Sequence, residues 1–321
     1  LWQYAFDQRA SDIHLEPRRE RSVIRFRIDG VMHNVYQVPP GVMNAMIARV
    51  KLLGRMDVVE KRRPLDGRIK TRNPAGEEVE MRLSTLPTAF GEKMVMRIFD
   101  PETTVKSIDA LGFGAHDGKR WEELITQAHG IILVTGPTGS GKTTTLYTAL
   151  SKLDASAHKI ITVEEPVEYQ LEGINQIQVH QQIGLSFANA LRSILRQDPD
   201  IIMIGEMRDG ETAQIAVQSA LTGHLVLSTL HTNTAAGAIV RLQDMGIEPY
   251  LITSSLNGVL SQRLVRRLCE HCKQAYEPDQ ALRVSSGLER MGLGNAQLYR
   301  PVGCEHCRQS GYNGRCGIHE L

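Results

Sequence analysis

The spacing of apolar residues in the first 100 positions is typical of a small mixed domain. Strands with one buried face are predicted, from strict alternation of apolar and polar residues, at 22–28, 79–83 and 94–98. Asp29-Gly30 followed by residues 31–38 predicts a hairpin. Apolar residues at helical spacing in 42–53 predict a helix that ends before Gly54. We therefore expect an N-terminal α+β domain over residues 1–100.

The pattern changes after residue 110, where continuous apolar runs alternate with segments of helical period. Strands are predicted at 131–135, 160–163, 201–204 and 225–230, and helices at 142–153, 187–197, 211–221 and 235–245. Strands that alternate with helices predict an α/β fold with a mostly parallel sheet that is covered on both faces. Residues 101–110 contain Pro101 and little periodicity, so they are predicted to be a linker between domains 1–100 and 111–321.

A glycine-rich loop follows the first of these predicted strands. The segment from Gly136 to Thr143 fits the pattern G-x-x-x-x-G-K-[ST], with a strand before it and a helix after it. Glycines allow backbone N–H groups to surround a phosphate, Lys142 adds a positive charge and the Thr143 hydroxyl can bind Mg²⁺. The residues expected to bind ATP are Gly136, Pro137, Thr138, Gly139, Ser140, Gly141, Lys142, Thr143 and Thr144.

A carboxylate is expected near this loop, at the end of a neighbouring strand. The apolar run 201–204 is followed by Gly205 and Glu206, at the strand end where ligands bind in open α/β sheets. We expect this strand to lie beside 131–135, with Glu206 orienting or deprotonating the attacking water or holding Mg²⁺ through water. The alternative is a solvated loop glutamate.

Three carboxylates cluster after the predicted strand 160–163. Glu164, Glu165 and Glu168 follow one another closely, and adjacent carboxylates suit a hydrated Mg²⁺ site. A solvated acidic turn is an equally good interpretation of the spacing alone.

Two histidines flank the apolar run 225–227. His224 precedes this run and His231 follows it, and a histidine beside a phosphate site could sense the γ-phosphate. Spacing alone favours a structural role for both.

The cysteines indicate a metal site. Two C-x₂-C pairs are separated by 31 residues, and four thiolates suffice for a closed tetrahedral Zn²⁺ site. The predicted ligands are Cys269, Cys272, Cys304 and Cys307. The long spacer predicts a separate lobe at about 266–311, and the alternative is four reduced, unpaired thiols. Cys316 is left over, and an odd number of cysteines argues against a disulfide framework.

The composition excludes several classes of protein. The net charge is +1 and aromatic residues are 5% of the chain, which argues against nucleic acid as a partner. No apolar run reaches the roughly 18 residues of a membrane span. We therefore expect a cytoplasmic protein without a direct membrane span.

Five motifs occur together in one order along the chain. These are the phosphate loop, E-E-P-V-E-Y from Glu164, R-Q-D-P-D-I-I-M-I-G-E-M-R-D from Arg196, the histidine segments and the cysteine pairs. Together they resemble the secretion ATPase superfamily of type II secretion and type IV pilus assembly, from about Ser11 to Gly317. The segment from Asp244 to Arg266 is most similar to the type II secretion members, with the pilus assembly ATPases as the alternative.

This resemblance implies a fold and a function. It implies a PAS-like N-terminal domain, a RecA-like ATPase domain and a homo-hexamer that hydrolyses ATP with Mg²⁺ to power type II protein secretion through pseudopilus assembly. It also implies partners in the cytoplasmic parts of inner-membrane platform proteins, with peripheral association at that membrane. A RecA-like nucleic-acid translocase ranks third. The family usually has Asp where this chain has Glu165.

The resemblance also nominates site residues. It supports catalytic roles for Glu206, Glu165, Glu168, His231 and His224, and it adds Arg68, Arg82, Arg192, Arg196 and Arg208. Arginine suits such a role because its planar fork stabilises charge on a transferring phosphoryl group. For Arg82, which lies in an alternating strand, a solvated strand face is the alternative.

Overall fold

The computed structural model describes residues 1–99 and 108–321. The described chain separates into two compact units, Leu1–Arg263 with Gly317–Leu321, and Leu264–Cys316. Residues 101–107 of the predicted linker lie outside the described residues. The domain boundaries drawn from the sequence stay predictions.

The N-terminal part of the first unit is an antiparallel sheet with a helix. Its strands are β1 (Asp12–Glu16), β2 (Ser22–Ile28), β3 (Val31–Val38), β4 (Leu65–Arg72), β5 (Glu78–Thr88) and β6 (Gly91–Phe99), and its helices are α1 (Trp2–Asp7) and α2 (Pro40–Leu53). The order across the sheet is β3-β2-β1-β6-β5-β4, and neighbouring strands are antiparallel.

Alternation along these strands explains how this sheet buries one face. Ile13, Phe26 and Met81 are completely buried, and α2 covers them with Met43 and Ile47. Side chains at every second strand position point to the same face, so each strand gives its apolar set to one core. The α+β character predicted for residues 1–100 is therefore seen, whereas the PAS-like assignment stays a prediction.

The second sheet is mostly parallel. Its strands are β7 (Gly130–Thr135), β8 (Ile160–Glu164), β9 (Asn175–Gln178), β10 (Ile201–Ile204), β11 (Leu225–Leu230), β12 (Leu256–Leu268) and, by chain order the last, β15 (Tyr312–Glu320). Their order is β15-β12-β7-β11-β10-β8-β9, and every neighbouring pair from β12 to β9 is parallel. The helices of this region are α3 (Ala115–Ile125), α4 (Lys142–Lys152), α5 (Phe187–Ile194), α6 (Gly210–Leu221), α7 (Ala235–Asp244) and α8 (Pro249–Ser255).

Helices cover both faces of this sheet. Ile131 and Leu133 of β7 belong to a core on one face that includes residues of α5, α6 and α7. Ile132 and Val134 belong to a core on the other face, with Trp121 of α3 and residues of α4. Strands that are buried on both faces read as continuous apolar runs, which is why they were visible in the sequence. The predicted α/β fold with a mostly parallel sheet is confirmed.

The order of the strands corrects one expectation. The strand β10, which precedes Glu206, does not lie beside β7, because β11 pairs with both of them. A second difference is that helix 187–197 ends at Ile194 and continues as a 3₁₀ turn over Leu195–Gln197.

The unit Leu264–Cys316 contains little regular structure. It includes β13 (Gln274–Tyr276), β14 (Leu298–Arg300), α9 (Gln280–Ser285) and a 3₁₀ turn at Glu305–Cys307, and β13 pairs with β14 in antiparallel fashion. In the described parts of the chain, no helix is both long and apolar enough to cross a membrane.

Candidate functional site

The glycine-rich loop connects the buried strand β7 to helix α4. Gly136, Gly139 and Gly141 have φ of 151°, 77° and 85°, a conformation that residues with a side chain rarely adopt. At Gly136 a Cβ atom would also lie 2.3 Å from the carbonyl oxygen of Gln262, so only glycine fits. The loop therefore has the curvature that exposes N–H groups at the start of a helix.

Lys142, at the first turn of α4, points back across this loop. Its Nζ atom donates to the carbonyl oxygens of Gly136 at 2.9 Å and Pro137 at 3.0 Å. Burial lowers the pKa of Lys142 from its ordinary value, and the nearby Glu206 carboxylate acts in the opposite direction. The ammonium group is thus held at the loop and within the field of the acidic residue.

A cavity of about 340 Å³ lies between the loop and the ends of the central strands. The predicted residues that line it are Thr138, Gly139, Ser140, Gly141, Lys142, Thr143, Thr144, Glu165, Glu168, Glu206 and His231. Gly136 and Pro137 contribute the carbonyl groups that hold Lys142. The structure therefore brings together most of the residues predicted for one site.

Glu206 is the centre of a polar network on the far side of this cavity. Oε1 of Glu206 lies 3.1 Å from Nε2 of His231, and Nε of Arg208 donates to its Oε2 at 2.7 Å. Arg208 also donates from Nη1 to Oε2 of Glu165 at 2.6 Å. The hydrogen bond to Glu206 is the main cause that raises the pKa of Arg208. This arrangement fixes the direction in which the Glu206 carboxylate faces.

The most deeply buried carboxylate of the acidic segment is Glu164, which the sequence grouped with Glu165 and Glu168 as suited to Mg²⁺ but did not nominate as a catalytic residue. It lines the cavity and accepts hydrogen bonds from the hydroxyl of Tyr147, from Oγ1 of Thr162 at 2.7 Å and from Nε2 of Gln176 at 3.2 Å. Burial raises the pKa of Glu164, and the three donors act in the opposite direction. Its position at the end of a fully buried strand was the available signal.

Arg82 contacts the acidic segment from the N-terminal sheet. Its Nη2 donates to the carbonyl oxygen of Val167, and its Nη1 lies 3.9 Å from Oε2 of Glu168. The guanidinium group packs over the ring of Phe99 at 4.2 Å. Burial raises the pKa of Glu168, and Arg82 is the main opposing influence. Arg82 thus contacts the loop that carries the carboxylates, and it does not line the phosphate-loop cavity.

Three other predicted arginines lie away from the cavity. Arg68 is exposed, with Nη1 4.0 Å from Oε1 of Glu80. Arg192 pairs with Glu211, and Arg196 donates to the carbonyl oxygen of Arg192 at 3.2 Å. None of the three lines the cavity, so Arg208 is the one predicted arginine that the structure brings into the Glu206 network.

His224 lies at the opposite end of strand β11 from His231. It precedes β11, and its Nδ1 is 2.9 Å from the carbonyl oxygen of Ser219. His231 follows the same strand, whose six residues span about 20 Å. Within one chain, the structure therefore brings His231 and not His224 to the phosphate-loop cavity.

The four predicted zinc ligands form a cluster within the unit Leu264–Cys316. Their sulfur atoms all lie within 4.8 Å of one another, with Sγ–Sγ distances of 3.8 Å for Cys269 and Cys304 and 3.7 Å for Cys272 and Cys307. Four sulfurs bound tetrahedrally at about 2.3 Å from Zn²⁺ would be about 3.8 Å apart. The cluster therefore fits a closed zinc site, whose metal would hold the lobe together rather than act on a substrate.

Backbone donors add to this fit. The N–H groups of Cys304 and Gly311 each donate to Sγ of Cys307 at 3.2 Å, and the N–H of Gly303 donates to Sγ of Cys272 at 3.3 Å. Burial raises the pKa of Cys307, but the N–H donors of Cys304 and Gly311, together with the Cys304 and Cys272 side chains, outweigh it and bring the pKa to about 6. Such donors stabilise thiolates, which is the form that binds a metal.

We expect one Zn²⁺ per chain, lost on Cys269→Ser. Removing one thiolate from a closed site weakens metal binding and the folding that is coupled to it. Metal analysis of the purified protein measures the zinc, and limited proteolysis reports the folding of residues 264–316. Cys316→Ser, outside the cluster, should keep its zinc. Zinc below about one-tenth of an equivalent in protein purified without chelator would contradict the site.

The fold and this cavity together define a class. A phosphate loop at the carboxyl end of a parallel sheet, facing a carboxylate on a nearby strand, is the arrangement of P-loop proteins. The chain belongs to the family described as "Type II/IV secretion system protein", whose model matches residues 1–321.

Curated relatives carry two kinds of name. The chain is 56% identical over 321 residues to the type IV pilus assembly ATPase TfpB of Acinetobacter baylyi, covering 100% of this chain and 55% of that protein. It is 51% identical over 317 residues to the type II secretion system protein E of Dickeya dadantii, covering 99% of this chain and 63% of that protein. The chain thus spans between half and two thirds of the length of these relatives.

Solved structures agree on the fold. The pilus retraction motor PilT with bound ADP is 30% identical, with a TM-score of 0.63 over 92% of this chain and 86% of that one. The ATPase DotB of Legionella pneumophila, 23% identical, has a TM-score of 0.67 over 83% of this chain and 75% of that one, which is a likeness of fold.

Proposed function

We propose that this chain binds ATP with Mg²⁺ and hydrolyses it. The observation that carries this proposal is that Lys142 and the phosphate loop face the Glu206 network across the same cavity. A positively charged cradle with a fixed carboxylate opposite provides the positioning and charge stabilisation on which phosphoryl transfer depends.

The residues have separate roles in this proposal. Backbone N–H groups of the loop and Lys142 bind the phosphates, and Glu206 orients the attacking water or accepts its proton, with His231 holding its carboxylate in place. The Thr143 hydroxyl and the carboxylates of Glu164, Glu165 and Glu168 would hold Mg²⁺, which neutralises charge on the phosphates.

The work that this hydrolysis drives is secretion or fibre assembly. Relatives named for type II secretion and for type IV pilus assembly match nearly the whole chain at 51% and 56% identity, and they support the two systems equally. We propose a hexameric ring at the cytoplasmic side of the inner membrane, in contact with the platform proteins of one of these systems. Co-purification with the cytoplasmic parts of each platform would decide between them.

ATPase rate against protein concentration tests the proposal. We expect Mg²⁺-dependent phosphate release whose rate per chain rises with concentration, because a ring forms as the protein is concentrated. Lys142→Ala should abolish this release, since the loop loses the charge that binds the phosphates. The proposal fails if the wild-type protein releases no more phosphate than Lys142→Ala at any concentration. Added DNA should leave the rate unchanged, and stimulation would favour a translocase.

A further inference from the structure

We propose that Gln262 is a positioning residue of the phosphate loop, which turns the backbone N–H of Gly141 towards the phosphates of the nucleotide. This inference rests on the proposed nucleotide binding and adds a residue from outside the loop motif. Gln262 belongs to β12, and in the parallel register Ser261 is paired with Thr135 of β7. Gln262 follows Ser261 and Gly136 follows Thr135, so Gln262 lies level with Gly136, where the loop begins.

Gln262 touches the loop at its beginning and near its end. Its own carbonyl oxygen occupies the space that a side chain at Gly136 would need, at 2.3 Å from the Cβ position. Gln262 as a residue is 2% exposed, and its Nε2 donates to the carbonyl oxygen of Ser140 at 2.7 Å. Oε1 accepts from Oγ1 of Thr145, in the first turns of α4, at 2.6 Å. One residue therefore joins the strand before the loop to the helix after it.

An amide makes both side-chain contacts at once at any pH, whereas an ionised carboxylate can only accept. The carbonyl oxygen of Ser140 can only accept, so the nitrogen of the amide must face it, and the amide oxygen then faces the hydroxyl of Thr145. Thr145 is completely buried and Ser140 is 3% exposed, so neither group can turn to bulk water instead. An unpaired carbonyl here would cost the desolvation of a buried polar group.

The peptide plane carries the effect of Gln262 to the cavity. The carbonyl group of Ser140 and the N–H of Gly141 belong to one planar trans peptide, so they point in opposite directions. A donor that holds the carbonyl outward therefore keeps the N–H inward, and Gly141 lines the cavity beside Lys142. Without this bond the peptide between Ser140 and Gly141 can rotate, because a glycine on one side of it restricts rotation little.

Gln262→Glu tests this role, because it keeps the shape and the acceptor for Thr145 but removes the donor for Ser140. At pH 8 we expect the Kd for MgADP to rise about tenfold or more, because a buried hydrogen bond is lost and two acceptors then face each other. The KM for ATP should rise in parallel with little change in kcat. Protonation of the new carboxyl restores a donor, so the difference from the wild type should shrink as the pH falls towards 6.

Two further variants make the result decisive. Gln214→Glu introduces the same charge at an exposed position of α6 and should bind MgADP like the wild type. Gln262→Met removes both contacts without a charge, and it should bind MgADP weakly at every pH, which also decides the question if Gln262→Glu does not fold. The inference is overturned if the folded Gln262 variants bind MgADP within twofold of the wild type. It is also overturned if the loss of MgADP affinity in Gln262→Glu is the same at pH 6 and pH 8, as it is expected to be in Gln262→Met. A wild-type protein that does not bind MgADP would instead refute the proposed function.

Discussion

Glu206→Gln is expected to lower ATP turnover by roughly 10²–10⁴-fold while the affinity for ATP stays close to that of the wild type. Glutamine keeps the size of the side chain but cannot take a proton from water. The loop and Lys142, which are proposed to bind the phosphates, are unchanged. The affinity for ATP is therefore expected to be preserved, whereas the chemical step becomes slower.

The geometry around Glu206 makes this variant a clean test. Arg208 would lose one carboxylate partner and keep the other, because it also donates to Glu165. Phosphate release in the steady state gives the turnover, and equilibrium titration gives the affinity. Glu211→Gln, at an exposed glutamate paired with Arg192, is the matched control and should behave like the wild type. Turnover of Glu206→Gln within tenfold of the wild type would show that another group activates the water.

Arg82→Ala is expected to lower turnover by about 10²-fold, because displacement of the segment whose carboxylates are proposed to hold Mg²⁺ misplaces the reacting groups. In the structure, Arg82 bonds to Val167 and lies beside Glu168, so its loss changes the charge of the acidic segment as well as its position. Nucleotide affinity should change little, because Arg82 does not line the phosphate-loop cavity. Arg72→Ala, in the neighbouring strand and bonded only to the carbonyl of Gly76 in the described hydrogen bonds, is the control.

Mixing variants shows whether Arg82 acts within its own chain. The contact to Val167 joins two segments of the same chain, so we expect no recovery when Arg82→Ala is mixed with Lys142→Ala. Each site in a mixed ring would then lack one of the two groups. The measurement requires rings shown to contain both variants, for example by two affinity tags. Recovery of activity in such rings would mean that Arg82 serves the site of a neighbouring subunit.

Burial determined how much of the fold could be predicted. Strands 201–204 and 225–230 were predicted with their observed bounds, because every residue of each strand is buried in a sheet covered on both faces, and such strands have largely apolar sequences. The order of strands was not predictable in the same way. Parallel strands are joined by helical crossovers, so neighbours in the sequence need not be neighbours in the sheet. The strand β11 was predicted, but its position between β7 and β10 was therefore not.

The site residues that belong to a local sequence motif could be predicted. The phosphate loop requires glycines and a lysine at fixed spacing, so Gly141 and Lys142 were found from the sequence alone. Glu164 was named as one of three adjacent carboxylates but not nominated as a site residue, because spacing does not show which of them is buried. Gln262 lies 120 residues after Lys142, and only the pairing of β12 with β7 brings it to the loop. Contacts of this kind depend on tertiary structure, and no local pattern contains them.

The position of β11 between β7 and β10 sets the width of the reaction site. Neighbouring strands are about 4.8 Å apart, so two spacings place the loop strand and the Glu206 strand roughly 10 Å from each other. The cavity of about 340 Å³ that lies across this spacing is lined by both Lys142 and Glu206. The intervening strand β11 thus sets the distance between the phosphate loop and Glu206. Because β11 is hydrogen-bonded to a strand on each side, we expect this distance to vary less than the positions of elements outside the sheet.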